Sequence, residues 1–329
     1  VSRGGRSLKQ AFLAGPGPES WGQALVIWLK GMAMGTADII PGVSGGTIAF
    51  ITHIYRQLLA AISSFDLEFA KRLARLDLAG ALQRVHLSFL LPLLVGIAMA
   101  VVSVARVVHY LLEHHPVHVW ALFFGLIAAS IWVVGRQVRR WGPGPLAALA
   151  GGTAAGWIIV GLIPVQTPQA LWFVFLSGMI SLIAMILPGI SGAFILLILG
   201  KYAYITGAMR DPWILQNLLV IAVFLAGGAV GLAGFSRVLN WLFEARHDLT
   251  VAALTGFMLG AMRKIWPWKE VAETRVVAGK EMVLRETNVL PPAYDDAFWL
   301  AVALAAAGFA AVVLLETLSR RQAGAEGPS

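Results

Sequence analysis

Pro41-Gly42-Val43-Ser44-Gly45-Gly46-Thr47 interrupts one apolar run, and Pro188-Gly189-Ile190-Ser191-Gly192 interrupts another 147 positions later. The match continues past the motif at the same offset, through Gly31/Gly178, Met32/Met179, Ala37/Ala184 and Tyr55/Tyr202. One architectural unit has been used twice. Proline removes a backbone donor and glycine takes conformations that other residues avoid, so each copy is expected to break a helix. Backbone broken at membrane depth is tolerated only where protein buries it or water reaches it. Paired breaks in the two halves of a chain point to a transporter's substrate site.

The membrane setting follows from composition. Of 329 residues, 58% are hydrophobic and 13% charged, which is too apolar for an ordinary soluble domain. The expected fold is an all-α polytopic membrane protein. Apolar stretches at 87–112, 117–138, 145–163, 214–236 and 297–318 are close to the ~20 residues that cross the hydrocarbon core. The stretch 250–265 is marginal. Residues 24–40 and 45–64, and again 170–187 and 192–209, pair around the two breaks as re-entrant helical hairpins. The polar N-terminal stretch does not read as a cleavable signal. Cysteine is absent, which excludes disulfides, thiolate metal sites and cysteine nucleophiles. The net charge of +8 lies in short loops, so it reads as membrane orientation rather than nucleic-acid binding.

A hairpin plus three spans per half gives an odd number of crossings, so the second half is expected to be inverted. The expected organisation is a cytoplasmic segment 1–20, repeat 1 at 21–164 with its hairpin at 24–64, repeat 2 at 165–320 with its hairpin at 170–209, and a tail 321–329. With both termini cytoplasmic, the inner segments hold Arg3, Arg6, Lys9, Lys71, Arg72, Arg75, Arg84, Arg136, Arg139, Arg140, Arg246, Arg320 and Arg321. The turns at His114–Pro116 and Pro164–Pro168 carry no Lys or Arg, and the exterior loop 266–296 mixes both signs with acids in excess. This is a positive-inside pattern. Placing each motif inside a continuous span would put the basic loop 66–86 outside, and the charges disfavour it. The stretch Asp66–Val85 is either a helix on the cytoplasmic lipid surface or a solvated connector.

Helices starting after the two Pro-Gly pairs would present the amides of Ser44, Gly45, Gly46 and Thr47 from one side and of Ser191 and Gly192 from the other, around one phosphate or carboxylate. Close packing through small residues is the plainer alternative. Ionisable residues in apolar segments take a functional reading by default, and here they are Lys30, Asp38, Arg56, Lys201, Arg237 and Arg263. Arg56, Lys201 and Arg263 are expected either to receive an anionic head group or to snorkel to the interface. Lys30 and Asp38 lie along one helix face leading to Ser44. Asp38, replaced by Met185 in the second copy, is a candidate coupler for a proton or sodium ion, or a simple partner for Lys30 or Arg56. No cofactor and no metal site is expected, since the histidines His109, His114, His115 and His118 cluster at a turn as interfacial groups. Neither Ser44 nor Ser191 has an adjacent base that would make it a nucleophile.

The two motifs, the glycine- and alanine-rich spans and the run Arg263-Lys264-Ile265-Trp266-Pro267-Trp268 resemble the bacterial polyprenyl-phosphate transporters of the PopT type, formerly a domain of unknown function. The resemblance covers nearly the whole chain. It implies a flippase of the bacterial inner membrane that returns undecaprenyl phosphate from the outer to the cytoplasmic leaflet, and it carries over to Pro41–Thr47 and Pro188–Gly192 alone. Pro41-Gly42-Val43-Ser44 also resembles the start of the undecaprenyl-pyrophosphate phosphatase motif. Those enzymes follow the serine with arginine, whereas Gly45 stands here, and no paired glutamates lie in an apolar segment. Without a charge on the transferring phosphoryl group, hydrolysis loses its largest catalytic term. A carrier for a small soluble anion is the remaining alternative.

Overall fold

The computed structural model describes residues 17–18, 20–39, 43–277 and 280–325, with backbone alone at 67, 70, 274–277, 280–285 and 318–325. Pro41 and Gly42, the basic residues Arg3, Arg6 and Lys9, and the end of the tail lie outside the described residues. The chain is mostly helical. The first half runs α1 (Trp21–Ile39), α2 (Gly45–Ile51), α3 (Tyr55–Ser63), α4 (Leu67–Ala74), α5 (Leu78–Arg84), α6 (Leu87–Ser103), α7 (Ala105–His114), α8 (Pro116–Gly135) and α9 (Pro143–Val160). The second half runs α10 (Leu171–Ile186), α11 (Gly192–Ile198), α12 (Tyr202–Arg210), α13 (Leu215–Ala245), α14 (His247–Ala261), a 3-10 turn (Met262–Ile265), β1 (Lys269–Val277), β2 (Lys280–Asn288) and α15 (Asp296–Ala325).

Among the described residues four helices are long and apolar enough to cross a membrane: α8, α9, α13 and residues Asp296–Thr317 of α15. Two bent pairs, α5 with α6 and α11 with α12, would bring the number to six if each were one span. This is a multi-pass arrangement. At ~1.5 Å per residue, the 31-residue α13 is longer than the ~30 Å hydrocarbon core.

Glycine sets the closest helix contacts. A methyl group on Gly31 would lie 2.3 Å from the Leu93 carbonyl oxygen, and one on Gly35 would lie 2.7 Å from that of Ile97. Equal steps along α1 and α6 mean that the two helices run parallel. The second half repeats this arrangement, with Gly227 against Phe175 and Gly231 against Met179 holding α13 parallel to α10. The remaining long helices pair across the halves, α8 with α15 and α9 with α14.

Adjacent glycines on α9 give opposite expectations. A methyl on Gly152 would sit 2.1 Å from the Ala253 carbonyl oxygen, whereas one on Gly151 meets nothing within 4 Å. Gly152→Ala is expected to destabilise by about 1–3 kcal/mol through overpacking. Gly151→Ala is expected to stabilise by about 0.5–1 kcal/mol through helix propensity. Thermal unfolding in detergent reads both, and melting shifts of the same sign would refute the packing assignment.

Three local features differ from the sequence reading. Each arm expected to return from a motif is split, at Thr52–Ile54 between α2 and α3 and at Leu199–Lys201 between α11 and α12. His53 and Gly200 occupy the left-handed region there, with φ of 59° and 62°, and only the glycine advertises it. The stretch 87–112 is interrupted at Val104, which ends α6 and begins α7. The loop 266–296 is not irregular, because β1 and β2 form an antiparallel hairpin pairing Lys269 with Asn288 and Val277 with Lys280. Valine and threonine favour strand on both sides of Ala278-Gly279. An all-α description therefore needs this one addition. The connector 66–85 consists of α4 and α5, capped by the carboxylates of Asp66 on Phe69 N–H and Asp77 on Gly80 N–H.

Candidate functional site

Ser44 ends the extended stretch before α2 with φ −122° and ψ 133°, and its Oγ accepts from Gly46 N–H at 3.1 Å. This is an ordinary N-cap, the role serine fills best. The same hydroxyl, fully buried, lies within donating distance of the carbonyls of Met185 at 3.1 Å and Leu187 at 3.2 Å. Thr47 Oγ1 accepts from Gly189 N–H at 3.0 Å, and the Tyr55 hydroxyl donates to the Ile186 carbonyl at 3.1 Å. Side chains of the first motif region thus satisfy the backbone of the second where that backbone leaves its helix, as buried amides and carbonyls require. The two breaks lie against each other in the core. Unlike Ser44, Ser191 makes no side-chain cap on its own helix, α11. Gly192 instead offers its carbonyl to Ser181 Oγ at 2.8 Å.

Gly46 and Gly189 are forced by this contact. A methyl on Gly46 would stand 2.6 Å from the Ile186 carbonyl oxygen. Gly189 has φ 96°, which a side chain would strain.

Lys30 and Asp38 share a helix but do not meet. Asp38 Oδ1 accepts from Gly45 N–H at 2.7 Å, while Lys30 Nζ donates to the Thr52 carbonyl at 2.9 Å. A carboxylate therefore sits at the N-terminus of α2 and an ammonium at its C-terminus, each the sign that the helix dipole favours. These two contacts also fix α2 antiparallel to α1. Asp38 Oδ2 is buried without a hydrogen-bond partner among the described residues. The α2 amides expected to face a ligand are engaged internally, Gly45 N–H by Asp38, Gly46 N–H by Ser44 Oγ and Thr47 N–H by the Ser44 carbonyl at 3.0 Å.

The structure gathers Asp38, Ser44, Gly45, Gly46 and Thr47 around residues 185–189, with Ser191 and Gly192 beside them through Met185. The other cations do not join them. Arg56 is exposed on the first turn of α3. Lys201 is buried beyond the far end of α11, donating to the Thr167 carbonyl at 2.9 Å. Arg237 caps the end of α3 through the carbonyls of Ser63 and Phe65. Arg263 lines a separate cavity beneath the β-hairpin, where its guanidinium lies 4.7 Å from the centre of the Trp157 ring.

Two further groups escaped the sequence reading. Glu316, buried on α15, meets His53 Nε2 at 2.5 Å. It is a lone carboxylate in an apolar stretch, and the rule that selected Asp38 would have found it. The second is the pair Lys269 and Glu286 in the cavity of Arg263 and Lys264, which local pattern could not assemble because Glu286 comes from the second strand. Among the described residues no group of three His, Asp or Glu side chains is placed to hold a metal ion.

Residues 34–283 match the family model described as undecaprenyl phosphate translocase-like, a range that contains both motifs. A polyprenyl-phosphate transporter of Vibrio cholerae is 39% identical over 304 residues, covering 90% of this chain and 97% of that one. A polyprenyl-phosphate transporter of Staphylococcus aureus is 30% identical over 259 residues, covering 73% of this chain and 85% of that one. No solved structure matches.

Proposed function

The chain belongs to the undecaprenyl phosphate translocase-like family, and from that premise we propose that it carries polyprenyl phosphate, as undecaprenyl phosphate, from the outer to the cytoplasmic leaflet of a bacterial inner membrane. The observation that carries this reading is the buried meeting of the two motifs through Ser44, Thr47 and residues 185–189. Broken helices facing each other at the core are how transporters build a midplane site.

The finer architecture is part of the proposal. Residues 21–164 and 165–320 form two inverted repeats, each opened by a re-entrant hairpin, with both termini cytoplasmic. Supporting this, α6 runs parallel to α1 and α2 antiparallel to it, so the chain comes back to its starting side between them. The lysine and arginine bias orients the whole.

The lipid phosphate takes the Gly45 and Gly46 amides on one side and the Ser191–Gly192 turn on the other. Asp38 and Ser44 hold those α2 amides in the empty protein, so phosphate enters as they leave. Arg56, Lys201 and Arg263 stand at the ends of the path, and Lys30 and Asp38 couple the exchange to a proton or sodium ion. The polyprenyl tail stays in lipid throughout.

The test is flipping of labelled undecaprenyl phosphate in proteoliposomes, with phosphate release from the pyrophosphate form assayed in the same preparation. Accelerated flipping without release is expected. Release without flipping would replace the transporter with a phosphatase, and neither activity under an imposed proton or sodium gradient would point to a small-anion carrier.

A further inference from the structure

A cavity of about 230 Å³ lies between the β-hairpin, the end of α9 and the side of α11, lined by Arg263, Lys264, Lys269, Glu286 and Asn288 together with Phe194 and Leu197. At roughly 30 Å³ of liquid per water, that is room for a small polyatomic anion and its hydration. Three cations face one carboxylate.

The cavity is built rather than incidental. The Asn288 side chain donates to the Arg263 carbonyl at 2.8 Å, and Trp266 Nε1 donates to the Val289 carbonyl at 2.9 Å, so strand and turn are tied together. Lys264 Nζ reaches Glu286 Oε2 at 3.0 Å and lies 5.2 Å from the centre of the Phe194 ring. Lys269 is the unsatisfied member. Its side chain is 8% exposed, and its Nζ stands 3.6 Å from Glu286 Oε2 and 3.6 Å from the centre of the Trp120 ring. It finds no hydrogen-bond acceptor among the described residues. An ammonium carries three donors, and among the described residues Lys269 has only the Glu286 carboxylate, at 3.6 Å, beyond ordinary hydrogen-bond distance, so an anion that comes closer would satisfy it better. Phe194 follows Gly192 by two residues on α11, about 3 Å along the axis at ~1.5 Å per residue, so the cavity abuts the second motif.

We propose that this cavity is a docking site for a phosphate monoester dianion, which takes Lys269, Lys264 and Arg263 by displacing the Glu286 carboxylate. Glu286 is the resident competitor, and the incoming phosphate releases it toward solvent. If the phosphate belongs to a lipid, the site receives the head group on the hairpin side before it reaches the motifs, and in that form it rests on the polyprenyl-phosphate reading. Free phosphate offers the same chemistry.

Titration sharpens the expectation. Burial, partly offset by Glu286, pushes Lys269 down to about 8. Burial works against the Glu286 charge, but Lys269 and Lys264 more than offset it and hold that carboxylate below its ordinary range. Among the described residues the charged groups about Lys269 are Lys264 from the 3-10 turn and Glu286 from β2, with Arg263 lining the same cavity, while α8 contributes the Trp120 ring. A phosphate monoester gains its second charge near pH ~6. Affinity should rise through about 6, hold while Lys269 is an ammonium, and fall as pH passes about 8.

The experiment is calorimetric titration of the full chain in lipid nanodiscs with farnesyl phosphate and, separately, inorganic phosphate. Lys269→Gln is expected to weaken binding at least about tenfold, the loss of one charge-assisted hydrogen bond. Glu286→Gln is expected to tighten it several-fold. If these ion pairs serve only the fold, both variants lower the melting temperature and neither gains affinity, which overturns the proposal. Lys269→Arg tests the site without removing its charge, because arginine stays protonated. Its binding should persist above the pH at which the wild type fails, and an unmoved alkaline limb also overturns the proposal. Tighter binding of farnesyl phosphate assigns the site to a lipid head group, and equal binding assigns it to free phosphate. A wild type that flips lipid yet binds neither probe sinks the docking site alone, whereas one that binds but flips nothing sinks the transport reading alone.

Discussion

Gly46→Val and Ser44→Leu are each expected to reduce flipping of undecaprenyl phosphate to the rate of protein-free vesicles while the protein still inserts. At Gly46 the obstacle is main chain, since the first added carbon meets the Ile186 carbonyl oxygen at 2.6 Å and that of Met185 at 3.1 Å. A flexible side chain could swing away, but this backbone is already fixed by Ser44 and Tyr55. The motifs must separate, and overpacking of this kind costs about 1–3 kcal/mol. At Ser44 leucine removes the cap on Gly46 and the single hydroxyl donor shared between the Met185 and Leu187 carbonyls, about 1–3 kcal/mol for an unsatisfied group. Either loss is small beside the tertiary packing of a polytopic bundle but falls entirely on the contact proposed to bind phosphate. Flipping in proteoliposomes, normalised to monodisperse protein, measures the effect, and Gly234→Ala is the control because nothing lies within 4 Å of its new carbon. Wild-type flipping by Gly46→Val would remove the motif contact from the mechanism.

The parts of this molecule that could be read from sequence are those governed by local pattern. The Pro-Gly pairs mark two helix breaks, and the first arm expected at 24–40 corresponds to α1 at Trp21–Ile39. Apolar stretches of bilayer length correspond to α8, α9, α13 and α15. What stayed hidden depends on segments far apart in the chain. The carbonyls of Met185 and Leu187 that receive Ser44 lie 141 and 143 positions away, so no local feature announces that one motif solvates the other. Lys30 and Asp38 share α1, yet each answers an end of α2 rather than the other. His53 turns the chain with a conformation usually left to glycine, and the interruption it makes was invisible for that reason.

The asymmetry between the two motif regions bears on the proposed coupling. Met185 stands where Asp38 would recur, and the Met185 carbonyl instead faces Ser44. Tyr55 is buried against Phe50 and Phe243, whereas Tyr202 is 41% exposed. A site made from two equivalent halves would give phosphate the same reception from either side. Here the carboxylate of Asp38 stands at the first helix start and Met185 at the corresponding place in the second, so in the proposed mechanism occupancy and charge at Asp38 would distinguish the two directions.

Asp38→Asn is accordingly expected to leave lipid flipping measurable but insensitive to an imposed gradient. The amide keeps an oxygen for Gly45 N–H, which Asp38 Oδ1 now binds at 2.7 Å, and keeps the side-chain volume beside Gly45, where a methyl group would fall 2.6 Å from Oδ2. What it loses is the ability to take up charge. In the wild type Oδ2 is buried and unpaired among the described residues, an expensive position for a carboxylate oxygen unless a proton or cation reaches it. In the proposed mechanism, a counter-charge at Asp38 would end its competition with phosphate for the positive end of α2 and release the amide of Gly45 to the substrate. Proton and sodium gradients imposed separately across proteoliposomes would identify which ion does this in the wild type. The same gradient should then change the Asp38→Asn rate little or not at all. A variant that keeps the full gradient response would take Asp38 out of coupling and leave it a structural cap on α2, in which case its replacement should register in the melting temperature instead.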